Sequence, residues 1–300
     1  MKEKLITIVG PTASGKTELA VHLAKMLGSS VISGDAFQVY RGMDIGTAKV
    51  TKEEMDGVPH FLIDILEPTE EYSAALFQKL AREIISKENE KGRIPILAGG
   101  TGLYVQGLLE GFSFAPKTKD RSRWDAVEEE KGMAGLIELF HTLAPEEEPP
   151  KDPQRLKRRL ELLTSGTDAE ISKEKNLVYD GPVIGIRMDR LALYDRINQR
   201  VHSMMEHDLE EEVRSLLMSG IPKTAQALKG IGYREMIPVI EGEAGVKEAE
   251  ELIAQHTRQF AKRQMTWWRH MPYIRWVERN REDDWIRETE AIVSSWTRGD

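Results

Sequence analysis

The sequence predicts an α/β fold with a parallel sheet core, flanking helices and a mainly helical insertion. Two observations predict it. Short apolar runs alternate with segments of helical periodicity up to residue 112, and this alternation stops afterwards. Strands that alternate with helices are typical of βαβ units, in which each helix packs on a parallel sheet. The apolar runs that we predict to be strands are residues 5–9, 31–33, 61–66 and 94–98.

The helices predicted between these strands carry start and stop signals. A helix over residues 16–27 ends where Gly28 can adopt the left-handed conformation of a C-terminal cap. A second helix begins at Ser73 and ends at Gly92. Its apolar residues share one face because they recur every four positions. They are Leu76, Leu80 and Ile84.

The character of the sequence changes after Phe112. From residue 113 to about 180 there are two acidic triplets and several prolines but no convincing strand, which indicates a helical insertion. Residues 182–188 then predict a strand that returns to the sheet, residues 189–219 predict one long helix, and further helices follow. We therefore predict a catalytic core of residues 1–112 plus 186–300, with an insertion domain of residues 113–185.

The composition excludes several classes of protein. The 300 residues contain no cysteine, which excludes disulfides, thiolate nucleophiles and cysteine-ligated zinc or iron–sulfur sites. No apolar run approaches the ~20 residues of a membrane span. The N-terminal apolar run stops at Gly10, which is too short for a signal peptide. We therefore expect a soluble, cytoplasmic protein without a membrane partner.

The distribution of charge is more informative than its sum. A net charge of −8 by itself argues against a nucleic-acid partner, because phosphate binding requires positive charge. However, residues 151–159 carry five basic residues and one acid, and residues 258–281 carry seven basic residues and one acid. The second stretch also contains tryptophans, which suit RNA binding by stacking. Tryptophans buried in the core of a helical segment are the alternative interpretation.

A phosphate-binding motif follows the first predicted strand. It matches the G-x-x-x-x-G-K-[ST] pattern of a P-loop, the ATP-binding motif, with a strand before it and a helix after it. Its glycines let backbone N–H groups surround an anion at the N-terminus of the helix. The lysine is expected to bind the terminal phosphate and the threonine to bind Mg²⁺. The motif therefore predicts a P-loop NTPase-like core with a polyphosphate or diphosphate site. Its residues are Gly10, Pro11, Thr12, Ala13, Ser14, Gly15, Lys16 and Thr17.

Two aspartates are candidates to serve this site. Asp35 follows the second predicted strand, at the carboxyl edge of the sheet where α/β proteins bind ligands. A carboxylate there suits a general base that takes a proton from the attacking nucleophile, and a solvated loop residue is the alternative. Asp64 follows the third apolar run and could hold a metal as a Walker-B residue. An aspartate that makes a local hydrogen bond is an equally good interpretation of Asp64.

Several segments together resemble one enzyme family, the tRNA dimethylallyltransferases, also called isopentenyl-tRNA transferases. The loop VYRGMDIGTAK over residues 39–49, preceded by Asp35, is a highly specific part of this resemblance. The sequence departs from the family at Ala36, where the family has serine, so no hydroxyl is present at that position. The other segments that carry the resemblance are residues 10–17, 99–104, 152–156, 230–235 and 257–264.

The resemblance implies an enzyme that transfers a dimethylallyl group from dimethylallyl diphosphate to N6 of adenosine 37, beside the anticodon of tRNA, and releases diphosphate. The P-loop would bind diphosphate where a kinase holds ATP, with Mg²⁺ as the cofactor. Asp35 would be the base, and Lys16 and Thr17 would complete the catalytic set. Arg187 and Arg200 are candidates to clamp the diphosphate, with plain surface arginines as the alternative.

The resemblance also implies a surface for the anticodon stem-loop. The insertion would grip the stem as a mobile arm, and the protein is expected to act as a monomer. The target base would have to leave its stack to reach the diphosphate, which calls for a base-flipping pocket. The residues expected to contact tRNA are Asp35, Ala36, Phe37, Gln38, Thr101, Arg123, Gln154, Arg155, Leu156, Lys157, Arg158, Gly230, Ile231, Gly232, Tyr233, Arg234 and Glu235.

Three alternatives remain open at the level of sequence. A P-loop small-molecule kinase would bind ATP and transfer its γ-phosphoryl group. An adenylate dimethylallyltransferase would modify a free nucleotide, which needs no extended basic surface. In a nucleotide-dependent RNA-binding switch without catalysis, Asp35 would have no role as a base.

Overall fold

The computed structural model of the chain describes residues 2–114, 121–165, 176–279 and 284–299. The chain forms two compact units, one of Met1–Gly111 with Asn176–Asp300 and one of Phe112–Lys175. The predicted boundary at residue 185 is therefore too late, because it falls inside a strand of the first unit. The physical reason is that the preceding segment already pairs with the N-terminus: the N–H of Leu5 donates to the carbonyl of Asp180 at 2.9 Å.

A parallel sheet lies at the centre of the first unit, which confirms the predicted α/β class. Its order in space among the described residues is the third strand, then the second, fourth, first, fifth and sixth, and every neighbouring pair is parallel. The last strand in the chain was not predicted, since only helices were expected after residue 219. The strands are β1 (Ile6–Val9), β2 (Val31–Ser33), β3 (His60–Phe61), β4 (Ile96–Gly99), β5 (Val183–Arg187) and β6 (Ile274–Glu278).

Helices pack on both faces of this sheet. The side chains of β1 alternate between the faces: Ile6 and Ile8 belong to one buried cluster, and Leu5 and Val9 to another. Burying each such side chain contributes about 1.5–3 kcal/mol to folding. In chain order the helices of the described residues are α1 (Lys16–Leu27), α2 (Lys52–Met55), α3 (Ala74–Glu90), α4 (Gly102–Leu109), α5 (Arg121–Leu143), α6 (Pro153–Ser165), α7 (Arg190–Glu206), α8 (Leu209–Met218), α9 (Tyr233–Ile240), α10 (Val246–Trp268) and α11 (Asp284–Arg298).

Left-handed backbone conformations shorten two predicted elements. The strand predicted over residues 61–66 ends at Phe61, because Leu62 and Asp64 have φ values of 62° and 53°. The long helix predicted over residues 189–219 is divided into α7 and α8 at His207 and Asp208. Asp208 has a φ of 62°, which a continuous right-handed helix cannot contain.

The helix α3 begins as predicted but buries a different face. Ser73 caps it by accepting a hydrogen bond from the N–H of Leu76 at 3.2 Å. The predicted face of Leu76, Leu80 and Ile84 is only half buried. The buried residues lie one position further along and include two polar groups that find partners inside the protein. They are Phe77, Gln78, Ala81, Ile85 and Glu88.

The second unit is helical where the structure describes it. It consists of α5, which breaks at Gly132 with a φ of 64°, and α6. These helices enclose a separate apolar cluster whose buried members are Trp124, Leu136, Phe140, Ala144, Leu156 and Leu160. Across the described part of the chain, every helix is too short or too polar to cross a membrane.

Candidate active site

The phosphate-binding motif forms a loop between β1 and α1. Because β1 lies inside the sheet, the loop stands at the carboxyl edge of the sheet, next to the ends of β4 and β5. Gly15 immediately precedes α1 in a left-handed conformation with a φ of 93°. Ala13 also has a positive φ of 63°. These dihedral angles turn successive peptide units so that several N–H groups face the same side.

The N–H groups of the loop divide into two sets. The N–H of Thr12 donates to Oε1 of Gln264 at 2.9 Å, and the N–H of Ser14 donates to the carbonyl of Pro11 at 3.3 Å. Within the described residues, no protein acceptor is present for the N–H groups at positions 13 and 15–17. They lie at the N-terminus of α1, where the helix dipole adds positive potential. The loop is therefore prepared to bind an anion.

Cations crowd around this anion site. The Nζ of Lys16 donates to the carbonyl of Pro11 at 2.7 Å, and Arg200 donates to Oγ1 of Thr12 at 3.4 Å. Burial and the neighbouring Arg200 lower the pKa of Lys16 to about 7, although Asp35 acts in the opposite direction. Burial and the neighbouring Arg196 lower the pKa of Arg200. Without an anion these charges repel one another, so the site favours a ligand with several negative charges.

Asp35 lies just after β2 and faces the same cavity as the phosphate loop. Its Oδ1 accepts hydrogen bonds from the N–H groups of Phe37 at 2.8 Å and Gln38 at 3.3 Å. Within the described residues, Oδ2 has no protein donor. The cavity has a volume of about 600 Å³ and is lined by Lys16, Thr17, Asp35 and Arg200, among others. One face of the carboxylate is therefore fixed and the other is available to a ligand.

The loop after Asp35 is held by a carboxylate that sequence reasoning missed. Oε2 of Glu212, on α8, accepts the N–H groups of Asp44 at 2.8 Å and Ile45 at 2.7 Å. Its Oε1 accepts the N–H of Gly46 at 3.0 Å and the hydroxyl of Tyr233 at 2.6 Å. Glu212 belongs to an acidic run that resembles a solvated helix face, so only its helical position next to buried residues could have singled it out.

Gln38 connects this loop to Asp35. Its side chain donates to the carbonyl of Ala48 at 3.1 Å, and its own N–H donates to Asp35. Gln264, on α10, makes a similar connection on the other side of the cavity. It accepts the N–H of Thr12 and donates to the carbonyl of Gly100 at 3.0 Å, after β4. Both glutamines line the cavity.

Arg187, Asp64 and Thr101 are among the predicted residues that do not line the cavity. Arg187 lies at the end of β5, where it pairs with Glu278 at 3.2 Å and stacks on Trp276 at 4.9 Å from the ring centroid. It is thus committed elsewhere, and Arg200 alone of the two clamp candidates reaches the phosphate loop. Asp64 pairs with Lys49 at 2.5 Å, which agrees with the local interpretation and not with a Walker-B role. Thr101, which precedes α4, is half buried and lies outside the lining.

The segment 230–235, which we expect to contact tRNA, is largely buried. Gly230, Gly232, Tyr233 and Glu235 are buried, Ile231 is half buried and only Arg234 is exposed. Sequence alone cannot separate a motif that touches a ligand from one that supports a neighbouring loop. Here the buried members support the loop: a Cβ at residue 230 would lie 3.2 Å from the ring of Phe37, and Tyr233 donates a hydrogen bond to Glu212.

The candidates in the second unit also divide into exposed and structural residues. Gln154 and Arg155 are exposed. Leu156 is in the apolar cluster, and the buried Lys157 pairs with Asp125 at 2.6 Å and Glu128 at 2.7 Å. Arg158 is half exposed and pairs with Glu161. Arg123 is exposed and lies over the ring of Trp124. The basic character of 151–159 is thus partly internal.

The tryptophans near the C-terminus agree with the core interpretation. Trp268 and Trp285 are buried, and Trp267, Trp276 and Trp296 are half buried against their neighbours. The basic residues of α10 behave differently, since Lys262, Arg263 and Arg269 are exposed. The positive surface predicted from the sequence therefore consists of basic side chains without freely exposed tryptophans.

Comparison with known proteins places this geometry in a family. The family model described as IPP transferase matches residues 38–271. The chain is 43% identical over 292 residues to a tRNA dimethylallyltransferase of Staphylococcus carnosus, with 93% of this chain and 92% of that protein covered. It is 44% identical over 306 residues to one of Carboxydothermus hydrogenoformans, with 98% and 97% covered.

Solved structures agree. The tRNA isopentenylpyrophosphate transferase of Bacillus halodurans matches with a TM-score of 0.76 and 40% identity, covering 99% of this chain and 98% of that one. A eukaryotic dimethylallyltransferase acting on tRNA has a TM-score of 0.82 at 23% identity, covering 99% and 80%, which supports the fold alone. The kinase and free-nucleotide alternatives are not favoured. The chain therefore belongs to the IPP transferase family, as the motifs of its sequence predicted.

Proposed function

We propose that this enzyme transfers a dimethylallyl group from dimethylallyl diphosphate to N6 of adenosine 37 of tRNA, next to the anticodon. The observation that carries the proposal is the shared cavity, which the phosphate loop and the Asp35 carboxylate both line. A diphosphate leaving group needs the phosphate loop, and a nucleophile that must lose a proton needs the Asp35 carboxylate. Close relatives named for this activity support it.

The chemistry follows from these positions. The amine at N6 attacks C1 of the allyl group, so an N–C bond forms while the bond from C1 to the diphosphate oxygen breaks. The nitrogen gains positive charge as it attacks, and Asp35 Oδ2 accepts its proton. The leaving diphosphate gains negative charge, which the free N–H groups of the loop, Lys16 and Arg200 stabilise.

Magnesium fits the donors that are present. Thr17 lines the cavity and carries a hydroxyl, and Mg²⁺ is usually held by one or two protein oxygens together with phosphate oxygens and water. The described residues contain no cluster of three His, Asp or Glu side chains that would form a metal cage by themselves. Thr17 would hold the ion against the diphosphate, where it would neutralise charge on the leaving group.

The tRNA side of the proposal rests on exposed basic groups. Arg234, Lys262, Arg263 and Arg269 in the first unit are exposed and can contact phosphates. In the second unit Arg155 is also exposed and basic. We propose that this unit binds the anticodon stem. One chain supplies both the phosphate loop and the base, so a monomer suffices. A tRNA substrate supports a cytoplasmic location.

The test is direct transfer of label. The protein is incubated with Mg²⁺, dimethylallyl diphosphate labelled in the allyl group, and unmodified tRNA. We expect label in the tRNA and none in a tRNA with guanosine at position 37. Parallel incubations also contain ATP or AMP. ATP hydrolysis or phosphoryl transfer without labelled tRNA would support a kinase. Labelled AMP without labelled tRNA would instead identify a free-nucleotide transferase.

A further inference from the structure

Arg279 reaches the phosphate loop from a distant part of the chain. It directly follows β6, and its N–H donates to the carbonyl of Arg187 at 2.7 Å, which extends the pairing of β5 with β6. Its side chain is only 12% exposed. The backbone of Arg279 is therefore anchored to the sheet, so the direction of its side chain is well defined.

The guanidinium of Arg279 has three partners. Its NH1 group donates to the carbonyl of Ser14 at 3.0 Å, and its NH2 group donates to Oε2 of Glu18 at 2.8 Å. Its plane lies over the ring of Trp285, 4.5 Å from the centroid. Two hydrogen bonds and one stacking contact hold the planar group in place, which a flexible lysine could not reproduce.

Gly15 is shaped around this arginine. A Cβ at position 15 would lie 1.5 Å from NH1 of Arg279, so a side chain there would displace the guanidinium from its present position. The φ of 93° at Gly15 also disfavours other residues. The second glycine of the motif thus gives Arg279 access to the carbonyl behind the loop.

We infer that Arg279 is a positioning residue that sets the direction of the Gly15 N–H toward the bound diphosphate. The carbonyl of Ser14 and the N–H of Gly15 belong to one planar trans peptide unit, so they point in opposite directions. A hydrogen bond that holds the carbonyl on the outer side holds the N–H toward the inner side. That N–H has no protein acceptor among the described residues. The inference rests on the proposed binding of diphosphate by this loop.

Neighbouring groups support the same arrangement. Arg196, on α7, donates its Nε–H to the carbonyl of Ala13 at 2.8 Å, so consecutive carbonyls of the loop are each held by an arginine. Burial and the neighbouring Arg279 lower the pKa of Arg196, as expected for two cations close to one anion site. A bound diphosphate would relieve this repulsion.

The experiment compares Arg279→Gln, Arg279→Lys and the control Arg275→Gln, which removes an exposed cation from β6. Binding of inorganic diphosphate is measured by calorimetry at one pH and one salt concentration. We expect Arg279→Gln to weaken diphosphate binding about tenfold, the effect of losing one charge-assisted hydrogen bond. Arg279→Lys should recover only part of this loss, and Arg275→Gln should bind like the original protein.

The outcomes distinguish an effect of the position of the Arg279 guanidinium from an effect of its charge and from a loss of protein stability. A rise in KM for dimethylallyl diphosphate with an unchanged KM for tRNA would support the inference, because a general loss of structure would raise both. Unchanged diphosphate binding in Arg279→Gln would overturn it, and so would full recovery in Arg279→Lys, which would show an effect of charge alone. If the original protein binds diphosphate but labels no tRNA, the proposed function is wrong. The comparison of diphosphate binding by the Arg279 variants would still test the inference in that case.

Discussion

The ring of Tyr233 occupies the space that a side chain on Gly46 would need. Its Cε2, Cζ and hydroxyl oxygen lie 2.5, 2.6 and 2.9 Å from the position of a Cβ at residue 46. Burial, together with the neighbouring Glu212, raises the pKa of Tyr233, so the phenol stays protonated and donates to that carboxylate. The loop, α8 and α9 thus meet at one tightly packed point that borders the cavity.

Gly46→Ala should displace this loop. The added methyl group would meet the buried ring of Tyr233, and we expect a loss of about 1–3 kcal/mol in the free energy of unfolding from overpacking. Transfer activity should fall as well, because neighbouring Ile45 and Thr47 line the cavity. Thermal unfolding and initial rates measure both effects. Gly245→Ala is the control, since a methyl group there meets open space. Equal behaviour of the two variants would contradict the packing argument.

Glu212→Gln should loosen the same loop without removing a group that touches substrate. The carboxylate accepts three N–H groups and one hydroxyl, whereas an amide would point its own N–H groups at some of these donors. We expect a destabilisation of about 1–3 kcal/mol and a lower rate of transfer. Glu211→Gln, which changes an exposed neighbour, should have little effect. An equal loss of transfer activity in Glu212→Gln and Glu211→Gln would instead indicate a general effect of removing negative charge from α8.

Asp35→Asn should lower the rate of dimethylallyl transfer while leaving diphosphate binding nearly unchanged. The amide oxygen can still accept the N–H groups of Phe37 and Gln38, so the loop keeps its shape while the base is lost. We expect turnover to fall by about 10²–10⁴ with nearly unchanged affinity for diphosphate. Single-turnover rates and calorimetry make the comparison. Unchanged turnover would exclude Asp35 as the base.

Diphosphate binding should take up a proton on Lys16. Because the pKa of Lys16 is about 7 in the ligand-free protein, the group is largely neutral at pH 8 and charged well below pH 7. A bound diphosphate favours the charged form and raises this pKa, so uptake on the lysine occurs above pH 7 and disappears below it. Calorimetry at pH 8 in buffers of different ionisation enthalpy measures it. Lys16→Met is the reference, and equal proton uptake by both proteins would refute the assignment.

Replacement by methionine should affect protein stability at Lys157 and tRNA binding at Arg155. Lys157→Met removes a buried cation with two carboxylate partners, so we expect a loss of about 1–3 kcal/mol in stability. Arg155→Met should leave stability unchanged and weaken tRNA binding, with the slope of log affinity against log salt reduced by about 1. Thermal unfolding and tRNA titrations at several salt concentrations measure these effects. Unaltered tRNA binding by Arg155→Met would remove it from the proposed surface.

Elements with local signals were predicted well, and elements that depend on packing were not. Ser73 marks the start of α3 because its side chain accepts the N–H of Leu76 in the first turn, and the phosphate motif lies between β1 and α1 as expected. The buried face of α3 was misjudged by one position, since polar Gln78 and Glu88 find internal partners that no periodicity shows. The strand β6 was missed because its pairing with β5, about 90 residues earlier in the chain, makes it part of the sheet, and no local pattern shows that pairing.

The sequence by itself determined the chemistry of the site and the family, because the phosphate loop, Asp35 and the 39–49 segment are contiguous patterns whose function depends on local backbone. Only the tertiary structure decided which side chains hold those patterns in place. Arg279 lies 265 residues from Ser14, and Glu212 lies 168 residues from Asp44. The order of the strands and the packing of α8 bring these partners together, and no local pattern encodes either contact. The same folding buried most of the motif at 230–235 and paired Arg187 with Glu278 outside the cavity lining.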